Sequence, residues 1–532
     1  MTIEQALEEP SVPREALGES AANTGLVRAA AIIAAGNVAS RVLGLARESV
    51  IAYLFGATGH VSAFRVASTL VQQLYDFLVG GMASAALVPI LSDFAARKNR
   101  DELWRVASIV VNTLAVVLAL AVLVLEVFAP QLVWIYGAGY DPALQDATVQ
   151  MIRLALPAVF FLGLSGIITG LLYALKRFVY PAFTAAAFNA AIVILALALS
   201  PIFGIASLLV GIVVGAAVQV MLQLPGLRDM RYRLTIDFTH PALARILRLY
   251  VPVIGGLAIA QVGVAVDRYL VSFTGEQSLA WMQDATVLIQ FPLGLAATAV
   301  SFAILPTLSR QATQNRELRI TNYEFQSTLA FGVKLVLLLI VPAAVGLFVL
   351  AQPIVALLFE RGAFTANDTF WTSTVLRFYL IGLPFAAIDQ PLVFAFYARK
   401  NTLAPNLVAF AGVAIYLIVA LALIQSLGMI GLVLANSAQL TGHALIMVWL
   451  TQARLGGFGQ AGIGVTIAKV SLASAAMGLL AFAIESAVGP LWLKVAAPAI
   501  AGAGAYIALL WLLRVREAER VLEIVWARVR RV

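Results

Sequence analysis

The sequence predicts an all-α polytopic membrane protein of about fourteen transmembrane helices. Three observations carry this. Of 532 residues, 62% are hydrophobic and only 12% are charged. A soluble domain carries roughly 25% charged residues, so there is too little polar surface here to face water on all sides. From about residue 26 almost to the end, the chain supplies one apolar stretch after another, each near the roughly 20 residues needed to cross a ~30 Å hydrocarbon core. Those runs are too long for barrel strands, and a helix satisfies its own backbone polar groups in lipid.

Taken in order, the spans fall near 27–55, 62–94, 103–129, 148–174, 180–200, 204–224, 244–273, 278–308, 324–350, 370–397, 403–424, 428–452, 463–486 and 490–513. An apolar piece at 352–360 is too short to cross. The loops test the count, because Lys and Arg concentrate on the cytoplasmic side. One set of loops holds Arg97, Lys98 and Arg100, then Lys176 and Arg177, then Arg228, Arg231 and Arg233. The same set continues with Arg310, Arg316 and Arg319, then Arg399 and Lys400, then Arg454 and the tail from Arg514. The alternate loops hold none except Arg361, which Glu360 and Asp368 offset. An even number of spans follows, with both termini cytoplasmic and the body in the cytoplasmic (inner) membrane.

The ends and the composition exclude several classes. Residues 1–25 contain Glu4, Glu8, Glu9, Glu15 and Glu19 and no basic segment before an apolar core, so they are read as a disordered cytoplasmic tail and not as a signal peptide. Residues 515–532 read as a basic amphipathic helix on the anionic inner surface, with Val521, Leu522, Val525 and Trp526 on its apolar face. The formal charge of +8 resides in loops, which makes it a signal of topology and not of a nucleic-acid partner. There is no cysteine, and His60, His240 and His443 stand in no ligand-like spacing. No metal site and no resident cofactor are expected.

The chain repeats itself. Val88-Pro-Ile-Leu-Ser92 recurs as Leu305-Pro-Thr-Leu-Ser309, and Tyr173-Ala-Leu-Lys176 with Pro181 recurs as Tyr397-Ala-Arg-Lys400 with Pro405. Arg153 and Arg377 keep the same distance from those pairs, and Glu48 before Gly56 matches Asp267 before Gly275. The organisation predicted is a first lobe at 26–235 (helices 1–6), a second at 240–455 (helices 7–12), and two unduplicated helices at 460–514. Each lobe has an even number of spans, so the repeats are parallel and a substrate site is expected between them near the midplane. Alternating access by rocking of the lobes points to a transporter.

Charges inside spans mark a cavity or a partner, because burying one in lipid costs at least ~2.5–3.5 kcal/mol. They gather in the opening helices of each repeat. The first span carries Ser40, Arg41, Arg47 and Glu48, and the second Arg65 and Asp76. The equivalent spans of the second half carry Asp267 and Arg268, then Asp284 and Gln290. Together these ten residues are the candidate lining of a polar cavity. For Arg47, Glu48, Asp267 and Arg268 a second reading stands beside it, in which they snorkel to the interface. Asp76, beside Gly80 and Gly81, is read either as cavity lining or as a structural partner of Arg41 or Arg65. The two glycines serve close helix packing or bending of the helix.

Ser40-Arg-Val-Leu-Gly-Leu-Ala-Arg-Glu48, with Phe55-Gly-Ala57, resembles the opening signature of the MurJ (MviN) lipid II flippases of the MOP exporter superfamily. Ala86-Leu-Val-Pro89, Val266-Asp-Arg268, Phe291-Pro292 and Leu358-Phe-Glu-Arg-Gly-Ala-Phe-Thr365 are similar to further family motifs, and the resemblance extends over about residues 27 to 515. It implies a MOP/MATE-like arrangement of two six-helix lobes and a two-helix extension. It also implies a cationic cavity for a pyrophosphate-sugar headgroup, a groove for the polyprenyl tail, and translocation of a cell-wall precursor. On the same resemblance, the arginines of the first helix serve substrate binding. Two other family arginines fall on Tyr75 and Val287, and the family's acidic residue in the second helix falls on Ser62. Arg65 is a candidate replacement for one of the lost cations.

The function expected is therefore translocation of a lipid II-like precursor from inner to outer leaflet. The alternatives are a flippase for another lipid-linked oligosaccharide, a cation-coupled MOP-type exporter favoured by Asp76, Asp267 and Asp284, or a non-transporting envelope scaffold. An enzyme is disfavoured, since the outer loops hold no carboxylate–histidine cluster. The partners expected are the lipid-linked glycan, membrane lipids and cell-wall synthesis proteins, with a monomer as the working unit. A sodium or proton gradient, or the membrane potential, is open as the driving force.

Overall fold

The computed structural model describes residues 14–96, 100–318, 323–459 and 461–519. Among the described residues every regular element is helical. The first repeat is built on α1 (Arg14–Phe55), α2 (Gly59–Ala96), α3 (Arg100–Val127), α4 (Pro142–Ala174), α5 (Thr184–Phe203) and α6 (Ala206–Gln223). The second is built on α7 (Pro241–Ser272), α8 (beginning Ser278–Pro292 and resuming as Ala299–Leu318), α9 (Tyr323–Val349), α10 (Ala366–Ala398), α11 (Leu403–Leu427) and α12 (Met429–Leu455). Two more, α13 (Ile463–Ala487) and α14 (Leu491–Leu512), complete the chain's long helices.

Twelve helices among the described residues are long and apolar enough to cross a membrane, and a thirteenth if the bent pair in α8 is one span. The count of fourteen is not reached by that measure among the described residues, and α1 is not one of the twelve. Asn37, Ser40, Arg41, Arg47 and Glu48 interrupt its apolar character. Of the tail at 1–25, residues 1–13 lie outside the described residues. Residues 14–25 are helical turns of α1, which corrects the reading of this part as unstructured. The basic tail at 520–532, Arg97, Lys98 and Arg319 also lie outside the described residues. The short apolar piece at 352–360 forms the helix Ala351–Phe359, with Pro353, Val355 and Phe359 buried.

The internal repeat is written into the backbone. Lys176 and Lys400 close α4 and α10 with φ of 58° and 59°, a left-handed conformation uncommon outside glycine. Arg153 Nε donates to the Glu126 carbonyl at 3.4 Å, and Arg377 Nε to the Phe348 carbonyl at 3.3 Å. Each arginine thus ties its helix to the end of the one before it. The second helix of each repeat relaxes into π turns, at Asp76–Gly80 and Ala83–Leu87 in α2 and at Leu293–Thr298 in α8. Such turns sit where a helix bends and often where it works. At Gly81 a Cβ would press on Leu257 at 2.8 Å and Val253 at 3.2 Å, so this glycine serves close packing at the bend.

Two compact units emerge, and their boundaries cut through four helices, α1, α2, α4 and α7. One comprises residues 1–47, 68–128 and 152–257, and the other 48–67, 129–151 and 258–532. The first has a core of Leu87, Leu91, Trp104, Val110, Leu171 and Ile246 with their neighbours. In the second, α10 packs against α8, α9 and α12, while α13 and α14 pair with each other and α13 lies along α9. The last residues of α1 and the first two turns of α2 belong to this second unit.

The polar loop after α6 is held by charge. Arg177 meets both carboxylate oxygens of Asp229, at 2.5 and 2.8 Å, and Arg100 adds a third contact at 3.6 Å. The hydrogen bonds from Arg177 hold the Asp229 carboxyl below its ordinary range. Its stabilising effect is therefore present above the unfolded pKa near 4 and is lost as pH falls through the lower folded value. Asp229→Asn is expected to lower thermal stability in detergent slightly at neutral pH, by no more than ~1 kcal/mol for so exposed a pair. The gap between wild type and variant should close as pH falls below about 4; a gap that persists there would mean the effect is not ionic.

Candidate functional site

The ten sequence-predicted residues divide between the two units. In the first unit, α1 carries Ser40, Arg41 and Arg47 along a half-buried stretch. Asn189 of α5 organises it. Its amide donates to the Ser40 carbonyl at 3.2 Å, and its Oδ1 accepts from Arg47 Nη1 at 3.0 Å. One amide therefore fixes both the backbone and an arginine of α1. Gly44 lies on this seam, where a Cβ would stand 3.7 Å from the same amide. Asp76 accepts from Gln72 Nε2 at 2.9 Å, one turn earlier on α2.

In the second unit, the end of α1, the start of α2 and the start of α8 meet on a buried ion triad. Arg65 Nη2 lies 2.5 Å from Glu48 Oε2 and 3.1 Å from Asp284 Oδ1. Glu48, Arg65 and Asp284 are 1%, 4% and 2% exposed, so none reaches solvent or lipid. One guanidinium between two carboxylates satisfies the rule that buried charge must be paired, and its fork geometry suits two acceptors at once. This placement excludes snorkelling for Glu48.

Around the triad the backbones close in. Ser62 Oγ accepts the Ala280 N–H at 3.3 Å. The Ala363 N–H donates to the Tyr53 carbonyl at 2.9 Å, and the Gly139 N–H to Ser272 Oγ at 2.9 Å. At Gly362, with φ of 63°, a Cβ would collide with that Tyr53 carbonyl, and at Gly56 one would stand 2.5 Å from the Ala363 carbonyl. Trp281 donates its indole N–H to Asp368 at 2.9 Å, and Asp368 also completes a capping box with Thr365 at the start of α10.

Asp267 and Arg268 form a second, separate constellation. Asp267 accepts from Arg268 at 2.8 Å and from the Tyr416 hydroxyl of α11 at 2.6 Å. Gln290 is exposed on α8, away from the buried triad. The positions that carry arginine in the resembling family, Tyr75 and Val287, are half-buried here.

Sequence reading missed Asn189 and Tyr416. Asn189 was visible as an amide inside an apolar span, but its partner on α1 was not. Tyr416 gives no such signal, because tyrosine is ordinary in membrane helices.

A further cavity of about 550 Å³ lies between α9, α13 and α14. Leu338, Pro342, Met477, Gly502, Tyr506 and Leu510 line it. Its wall is almost wholly apolar, and the chemistry it offers is that of a hydrocarbon chain.

Comparison with known proteins follows this geometry. The family model described as "Lipid II flippase MurJ" matches residues 51–501. The chain is 30% identical over 398 residues to "Lipid II flippase MurJ" of Burkholderia cenocepacia, covering 72% of this chain and 75% of that protein. It is 27% identical over 492 residues to the "Probable lipid II flippase MurJ" of Thermotoga maritima, covering 92% and 96%. Among solved structures, a lipid II flippase MurJ in an inward closed conformation superimposes with a TM-score of 0.77 at 24% identity, over 91% of this chain and 98% of that one. A multidrug resistance MATE transporter of the MOP superfamily superimposes at 0.65 and 14% identity, over 78% and 94%. The fold is thus that of MurJ and MATE transporters, and by the family model's span this chain belongs to the lipid II flippase MurJ family.

Proposed function

We propose that this chain is a flippase that carries lipid II, a polyprenyl-pyrophosphate-linked cell-wall precursor, from the inner to the outer leaflet by alternating access. The observation that carries the mechanism is the Glu48–Arg65–Asp284 triad, which joins two helices of the first repeat to one of the second through a single cation. An alternating carrier needs such a lock, closed in one state and broken in the other. The loop charges put the triad near the outer ends of its helices, with both termini cytoplasmic. Breaking it requires water or substrate to take over two carboxylates and a guanidinium, which makes the switch steep.

The headgroup falls to Ser40, Arg41 and Arg47 on α1. A pyrophosphate is a multiple anion, and charge-assisted contacts to arginine are its strongest recognition. With tyrosine and valine at positions 75 and 287, these two arginines carry more of that load. Arg65 is committed to the lock and joins the cavity only when the triad opens. Asp267 with Arg268, Asp76 and Gln290 complete the polar lining, and Asp284, like Arg65, joins it only when the triad opens. The division into lobes at 26–235 and 240–455 supplies the two moving bodies, and 460–514 supplies the tail groove with its apolar cavity. On this reading the protein works as a transporter and not as an enzyme. It acts as a monomer in the cytoplasmic membrane, beside the cell-wall synthesis proteins that consume its product. The replaced arginines favour one second reading, a related polyprenyl-pyrophosphate saccharide as cargo.

Two outcomes test this. In a bacterium whose own lipid II flippase is switched off, the wild-type chain should restore growth and outer-leaflet lipid II. Arg41→Ala and Arg47→Ala should each reduce that exposure at least about tenfold, the scale of one charge-assisted contact. No rescue by a well-expressed, inserted chain would turn attention to the second cargo. For the lock, Arg65→Gln should destabilise the purified protein by about 3–5 kcal/mol, since two buried carboxylates lose their cation. Adding E48Q and D284N to that variant should recover much of the loss. A triple variant no more stable than the single one would rule out charge pairing as the reason for the triad.

A further inference from the structure

One half-buried titratable pair lies outside the sites described so far. His443 sits near the midpoint of α12, a helix of 27 residues and so about 40 Å long. His60 and His240 lie at helix starts, so His443 is the histidine placed deep in the membrane. Its Nδ1 is 2.9 Å from Asp389 Oδ1 of α10. The two side chains are 17% and 20% exposed, so the pair is neither sealed in the core nor freely exposed. An ionisable group at that depth is costly to keep, which makes it functional by default.

The chemistry of the pair is asymmetric. An ionised carboxylate only accepts, so the Nδ1 facing Asp389 carries hydrogen and the lone pair is left on Nε2. A proton taken up at Nε2 turns the pair into imidazolium and carboxylate, with no net charge. Its loss from Nε2 leaves a single negative charge in the membrane. The two states therefore differ by one charge at a depth where a charge matters most, and histidine titrates in the physiological range.

The surroundings leave this titration to the pair. From α11 the buried Gly412 faces His443 and Gln439 and brings no charge. The titratable group of α11, Tyr416, is bonded to Asp267. On α10, Gln390 and Tyr397 flank Asp389, and Arg377 is bonded to the Phe348 carbonyl. On the helices packed against α10, Asp284 of α8 is held by Arg65 and Lys334 of α9 by Glu517. Arg310 and Glu324 stand toward the polar ends of those helices, as does Arg454 on α12.

We infer that His443 and Asp389 form a proton-binding site that couples the transport cycle to the proton gradient, one proton entering and leaving at His443 Nε2 per cycle. The coupling rests on the flippase reading above; the proton site itself does not. Two measurements separate them. In full-length protein carrying H60Q and H240Q, the ¹⁵N resonances of His443 should show hydrogen held on Nδ1 and a proton gained and lost at Nε2 as pH is varied, and D389N should alter that response. A His443 that stays in one form across pH 5–8 would overturn the site whatever the cargo. In sodium-free proteoliposomes with the membrane potential clamped, the outer-to-inner ratio of lipid II should change by up to about tenfold per unit of imposed pH difference, the limit for one proton. His443→Gln should hold that ratio constant across gradients. Wild-type movement of lipid II indifferent to the gradient, or a gradient response that survives His443→Gln, would overturn the coupling. No lipid II movement by the wild type, with His443 titrating as expected, would refute the cargo and leave the proton site standing.

Discussion

A charge in hydrocarbon must have a partner or an aqueous cavity, and this constraint governs where every polar residue of the chain ends up. The isolated cost of an arginine or aspartate at mid-depth exceeds what packing one more helix returns. The structure answers by drawing the polar residues of the spans into constellations: Ser40 and Arg47 with Asn189, Glu48 and Asp284 with Arg65, Asp267 and Arg268 with Tyr416, and Asp389 with His443. Each constellation ties together helices that are distant in sequence. Polar pairing therefore does for this fold part of what hydrophobic burial does in water, where apolar contact itself is the driving force.

The constellations differ in how reversible they are. The Asn189 seam is a pair of neutral-backbone and charge-assisted bonds inside one unit, suited to holding α1 in place. The Arg65 triad is buried on all sides and surrounded by close backbone approaches at Gly56 and Gly362. The His443 pair joins α10 to α12 through a single hydrogen bond. Three kinds of polar contact thus stand within the same apolar scaffold.

The duplicated architecture sets where flexibility resides. Both repeats keep the arginine tie at Arg153 and Arg377 and the left-handed lysine at 176 and 400. Both also break their second helix into π turns, near Gly80 in α2 and near Gly294 in α8. The ties and the bends recur together in the two repeats. The charges do not recur in the same way: Arg65 and Asp284 stand in the opening helices of opposite repeats and pair with each other.

Composition and periodicity alone determined that the chain is helical, crosses the membrane many times, and carries two parallel repeats with an extra pair of helices. These properties follow from local physics: the length of an apolar run, the distribution of Lys and Arg, and short motifs at constant offset. The motifs around Ser40–Glu48 also carried the family. Tertiary structure decided everything that depends on which helix neighbours which. Arg65 reads in the sequence as a spare headgroup cation, and Asp76 as cavity lining or a partner of Arg41 or Arg65; the fold places Arg65 between Glu48 and Asp284, and Asp76 beside Gln72. His443 and Asp389 stand on separate helices, and nothing in their spacing announces a pair. Hydropathy reports the environment of a residue but not its partner, because partners in a helical bundle are set by packing between segments far apart in the chain.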